Sequence, residues 1–109
     1  MIIDISDLDY PLKIKTLQAL YNVRDPELNI NIVDLGLVYG IEVNTSANMI
    51  NITMTLSSPS CPLGGIIVNH VKVAVEEIIE HYTVNADIVW EPVWNYDKIT
   101  PEGKKELGL

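Results

Sequence analysis

The chain has 109 residues, 48% of them hydrophobic, with fifteen acids against seven bases and a formal charge of −8. That length suits one compact domain, and the apolar content supports a core and argues against disorder. The bases are too scattered to form a phosphate-binding stripe, and no apolar run approaches the roughly 20 residues of a membrane span, so neither nucleic acid nor membrane is an expected partner.

The opening "MIIDISDLDY" is acidic and lacks the basic start of a secretory leader. A single cysteine forms no internal disulfide, so a reducing, cytoplasmic setting is the simplest expectation. No internal repeat or low-complexity linker divides the chain, and residues 1–109 read as one domain.

Residues 11–21, "PLKIKTLQALY", have helical spacing, with Ile14, Leu17 and Tyr21 on one face and Leu20 beside them. Asp9 is placed to cap this helix and Pro11 suits its first turn. Pro26 pushes Asp25 out of helical geometry, so the helix should stop near Asn22. The period then changes to two. Val33, Leu35, Leu37, Tyr39, Ile41 and Val43 alternate with Asp34, Gly36, Val38, Gly40, Glu42 and Asn44. Ile50, Ile52, Met54 and Leu56 alternate with Asn51, Thr53 and Thr55, and "NTSAN" between the runs makes a β-hairpin.

From Pro62 to Tyr82 the residues Leu63, Ile67, Val71, Ala74, Val75, Ile78, Ile79 and Tyr82 have helical spacing, opposed by Asn69, Lys72, Glu76 and Glu80. A last strand places Val84, Ala86, Ile88 and Trp90 on one face. In the tail, Thr100 is a cap, Pro101 a first-turn residue and Gly108 a stop. The expected fold is α+β: a two-layer α-β-β-α-β sandwich with a small mixed sheet and a short C-terminal helix.

The lone thiol lies in "SSPSCPLGG". Cys61 falls between a strand end and the long helix, with Pro62 fitting the first helical position and Cys61 the N-cap. Unpaired N–H groups and the helix dipole there favour thiolate, the form that attacks electrophiles and binds metal. Gly64 and Gly65 leave the sulfur approachable, and Ser57, Ser58 and Ser60 are hydroxyl donors beside it. A small buried filler at a helix start is the alternative, since free cysteine is often buried. His70, nine positions on, would lie roughly 13 Å along the helix, too far to serve as a base for Cys61. His81 is further still, and both read as surface or core-edge histidines. One thiol falls short of a structural zinc or cluster site, so any metal bound through Cys61 needs ligands from another chain, a small thiol or nearby carboxylates.

"RDPEL" supplies two such carboxylates, Asp25 and Glu27, though a plain turn in which Asp25 receives backbone N–H groups is the simpler reading. Asp34 reads as a strand-edge acid. Trp94 and Tyr96 read either as interface anchors or, for Trp94, as a ring folded back on the sheet edge.

Three segments, "YNVRDPELNINIVDLGLVYGIEV", "ITMTLSSPSCPLGG" and "VWEPVWNYDKITPEGKKELG", together resemble in order and spacing the PaaD/SufT-like iron–sulfur cluster maturation domain family. The resemblance covers residues 21–109. It implies a small α/β fold and an accessory, non-catalytic factor that helps deliver clusters to apo-proteins. It also implies a site made of Asp25, Glu27 and Leu28, the hydroxyls of Ser57 and Ser58, and Cys61 as the key thiol. The hydroxyl pair is often threonine in that family and is serine here. Iron or a cluster would be held transiently rather than as a tightly bound cofactor. The partners implied are the assembly machinery and apo client proteins, and a two-fold dimer would bring two Cys61 thiols together. Two other readings stand beside it: a thiol enzyme with Cys61 as nucleophile and Asp25 or Glu27 as base, and an adaptor with an inert cysteine.

Overall fold

The computed structural model describes residues 8–57 and 64–108. In chain order these form α1 (Tyr10–Leu20), β1 (Val38–Asn44), β2 (Met49–Met54), α2 (Gly64–Ile78), β3 (Thr83–Ile88), a 3₁₀ turn (Tyr96–Lys98) and α3 (Pro101–Leu107). The sheet order is β1-β2-β3, antiparallel between β1 and β2 and parallel between β2 and β3. The helix between β2 and β3 makes the parallel pairing reachable, because parallel neighbours need a crossover of a dozen or more residues. α1 packs against β1, α2 against β3, and the two helices touch. This is the expected two-layer α+β arrangement with a mixed sheet.

Side-chain alternation explains why the helices cover one face. Val38, Met54 and Ile88 are in register across the sheet, as are Ile41, Ile52 and Ala86, and Val43, Ile50 and Val84. Glu42, Asn51 and Asn85 form a polar row between them. Ile67, Val71 and Val75 of α2, and Ile79 just past its end, repeat every four residues and are all buried. Each such side chain contributes roughly 1.5–3 kcal/mol of apolar burial.

Several expectations change in detail. The first strand starts at Val38, not Val33, because 31–36 closes a turn. Leu35 N–H donates to Asn31 O, Gly36 N–H to Val33 O and Leu37 N–H to Ile32 O, and Gly36 has φ +76°. The strict alternation of β1 is also broken. A bulge between Val38 and Gly40 turns Val38 into the core row and leaves Tyr39 half-buried. In α1 the buried residues are Thr16, Ala19 and Leu20, whereas Tyr21 is exposed, so the inward face is rotated from the Ile14–Leu17–Tyr21 stripe. Thr16 tolerates burial because its hydroxyl donates to Leu12 O at 2.8 Å. Asp9 holds the N-cap position without a side-chain cap bond, and its carboxylate lies 3.7 Å from Lys13 Nζ. Ile78 is exposed, off the apolar face of α2. The tail follows the sequence reading: Thr100 Oγ1 accepts from Gly103 N–H, Pro101 opens α3, and Gly108 closes it at φ +77°.

Candidate functional site

Behind α1 the chain doubles back on itself. Arg24 and Asn31 form an antiparallel bridge, Asp25 N–H donates to Ile30 O at 2.9 Å, and Asn29 N–H donates to Asp25 O at 2.7 Å. Asn29 takes φ +56° and Arg24 Nη1 donates to its carbonyl. The Asp25 side chain is fully buried inside this loop. Glu27 N–H and Leu28 N–H donate to Asp25 Oδ1 at 2.8 and 3.0 Å, the turn expected of "DPE". The other oxygen, Oδ2, accepts from Ser57 Oγ at 3.4 Å, longer than a strong O–H···O bond. Three donors thus replace the water that a buried carboxylate gives up.

The structure therefore brings Asp25, Glu27, Leu28 and Ser57 together. Leu28 packs on the core edge and Glu27 is exposed. Ser58 and Cys61, with Pro62 and the expected N-cap geometry, lie outside the described residues. Ser57 is the last described residue before that segment and Gly64 the first after it. Among the described residues, a Cβ at Gly65 would meet nothing within 4 Å. His70 and His81 are exposed. Among the described residues no three of His, Cys, Asp and Glu come together in a way that could hold a metal ion.

Ser57 also borders an open groove of about 500 Å³, lined with Thr55, Leu56, Trp90, Glu91, Val93 and Trp94. Trp94 is half-buried, donates from Nε1 to Leu35 O at 2.6 Å and meets Tyr96 edge-on at 5.7 Å. This is the folded-back arrangement. The exposed apolar groups at the groove are Trp90 and Val93. Tyr39 OH donates to Pro92 O at 2.8 Å from below the 91–94 segment, and Lys98 Nζ stands 5.4 Å from the centre of its ring. Burial, then the negative charge of Glu91, raises the Tyr39 phenol above its usual 10.0.

Two features escape the sequence reading. Asp34 is a junction rather than a strand-edge acid: Asn31 Nδ2 and Thr100 Oγ1 donate to its carboxylate at 2.8 and 2.9 Å, and Thr100 N–H donates to its carbonyl. The Asn-to-Asp spacing of three in "NIVD", which supports an Asx turn, was the available signal. The groove itself joins residues more than thirty positions apart, and no local pattern announces it.

A family model described as iron–sulfur cluster assembly protein matches residues 15–88. The chain belongs to that family. The match contains every candidate site residue from Asp25 to Cys61 and ends before Trp90. Within the family, this chain is similar to the Fe-S protein maturation auxiliary factor YitW of Bacillus subtilis, at 41% identity over 94% of this chain and 99% of the relative. It is likewise similar to the Fe-S protein maturation auxiliary factor SufT of Staphylococcus aureus, at 41% identity over 80% of this chain and 98% of the relative. The crystal structure of a domain of unknown function from Bacillus anthracis has the same fold, with a TM-score of 0.85, 34% identity, and coverage of 91% of this chain and 93% of that one.

Proposed function

We propose that this chain is an auxiliary, non-catalytic factor in the maturation of iron–sulfur proteins, acting in the cytoplasm through Cys61 to help pass a cluster or its iron to apo-proteins. The observation that supports it is the buried Asp25 carboxylate, which ties the acidic turn to Ser57, four positions before Cys61. Ser57, beside Asp25, Glu27 and Leu28, is thus the point from which the chain leads on to Cys61. Two relatives named as maturation auxiliary factors align over most of this chain.

The cluster or iron is cargo in this reading. Asp25 Oδ1 is already committed to the turn through Glu27 N–H and Leu28 N–H, and Oδ2 accepts from the Ser57 hydroxyl. The remaining ligands of a Cys61-bound iron would come from an apo client, the assembly machinery, a small thiol or a second copy.

The test is replacement of the native chain by Cys61→Ser in cells, with client enzyme activities and the protein's thermal melting measured together. Loss of client activity with unchanged melting is the expected result. Full client activity in the variant would overturn the proposal.

A further inference from the structure

The groove beside Ser57 presents an unusual pairing of surfaces. Trp90 is 45% exposed and Val93 65% exposed, an arrangement that leaves large apolar groups in water on an otherwise acidic chain. Trp94, fixed by its bond to Leu35, forms a rigid wall. Glu91 is the one charged side chain in the lining, and among the described residues no lysine or arginine pairs with it. Its charge reaches Tyr39, which is one reason that phenol is raised. Lys98, the nearby base, sits over the Tyr39 ring instead. Behind Ser57 lies a second carboxylate, Asp25.

We propose that this groove docks a short segment of a client or assembly protein, an aliphatic side chain resting on Trp90 and Val93 and an adjacent lysine or arginine facing Glu91. The inference rests on the reading of the chain as a factor that serves other proteins, and it adds where and by what chemistry they are met. Charge complementarity selects the occupant. A second copy would bring −8 against −8, and nucleic acids or anionic lipids would meet the same repulsion. Side chains carry the recognition proposed here, since Thr55 N–H and Val89 N–H are already given to Leu37 O and Met54 O. Aromatic residues in such settings commonly supply most of the binding energy, and a rim charge mainly sets selectivity. A partner held here lies beside Ser57, at the entry to the segment that carries Cys61.

The chain's two tryptophans, Trp90 and Trp94, both line the groove, so fluorescence reports occupancy directly. The probes are three peptides: acetyl-Ser-Leu-Lys-Leu-Arg-Ser-amide, its analogue with glutamate for both bases, and its analogue with serine for both leucines. The first should give a saturable change, with both analogues weaker by roughly tenfold or more. Glu91→Gln should weaken the first peptide about three- to fivefold. Val93→Ser, at an exposed position, should weaken it by roughly tenfold without altering the melt. Equal responses to all three peptides, no saturable response, or a signal that follows protein self-association would overturn the inference. Failure of the peptides while Cys61→Ser still abolishes client activity removes the groove and leaves the maturation role. Docking with a silent Cys61→Ser does the reverse.

Discussion

A carboxylate with none of its surface in water needs donors, and Asp25 takes them from Glu27 N–H, Leu28 N–H and the Ser57 hydroxyl. Asp25→Ala leaves two part-buried N–H groups without their acceptor and should cost about 2 kcal/mol, read as a lower urea midpoint. Asp25→Asn keeps an acceptor for the turn and should cost about 1 kcal/mol. Equal losses for the two variants would mean that the acceptor role is not what matters. Tyr39 gives a prediction in pH. Its phenol is raised by burial and then by Glu91, so the folded state favours the neutral form. That contribution is complete below the unfolded value of about 10 and is lost as pH rises through the higher folded value. Alkaline titration followed by phenolate absorbance should show a late component that disappears in Tyr39→Phe and moves to lower pH in Glu91→Gln. Stability of the wild type should fall more steeply above about pH 10 than that of Tyr39→Phe.

Among the elements, the turn at 31–36 decides where the sheet begins. Gly36 holds φ +76°, and a Cβ there would run into the carbonyl of Lys98. Gly36→Ala should therefore cost about 2–4 kcal/mol, a backbone clash added to left-handed strain, measured by chemical denaturation. A cost below 1 kcal/mol would show that the 96–98 turn simply moves aside. This turn also shows where periodicity stops being informative. Val33, Leu35 and Leu37 satisfy a strand pattern, and only the tertiary neighbour of Gly36 distinguishes a turn from a longer strand. The β2 alternation, the Thr100 cap and the Asp25 turn were legible because each depends on residues a few positions apart. The bulge at Tyr39 was not, since it is defined against Met54 and Thr53 on the partner strand. Trp94 belongs with the bulge: its partner, Leu35 O, is 59 positions away. In the candidate site, likewise, the Asp25 turn was readable from "DPE", whereas its link to Ser57 spans 32 positions.

For the whole molecule, the C-terminal segment and the 31–36 turn act as one unit joined at several points. Thr100 Oγ1 and N–H both donate to Asp34, Trp94 Nε1 donates to Leu35 O, and Gly103 sits so close to Asp34 O that a Cβ would lie 2.9 Å from it. In the helix layer Ile67, Val71 and Val75 are buried in the core that also takes in Leu35, Leu37 and Ile99, and none of these polar bonds reaches them. Opening of the tail against the turn should then cost less than global unfolding and leave α2 and β2 protected. Native-state hydrogen exchange on Asp34→Ala tests this. Removing the carboxylate deletes the bonds to Asn31 and Thr100, so amides of 31–37 and of α3 should lose protection together, by roughly ten- to a hundredfold for about 1.4–2.8 kcal/mol. Amides of α2 and β2 should change much less. Uniform loss across all elements would mean that tail and core open only as one cooperative body. Loss confined to 31–37 would mean that α3 is held by its own cap and by Trp94 without help from Asp34.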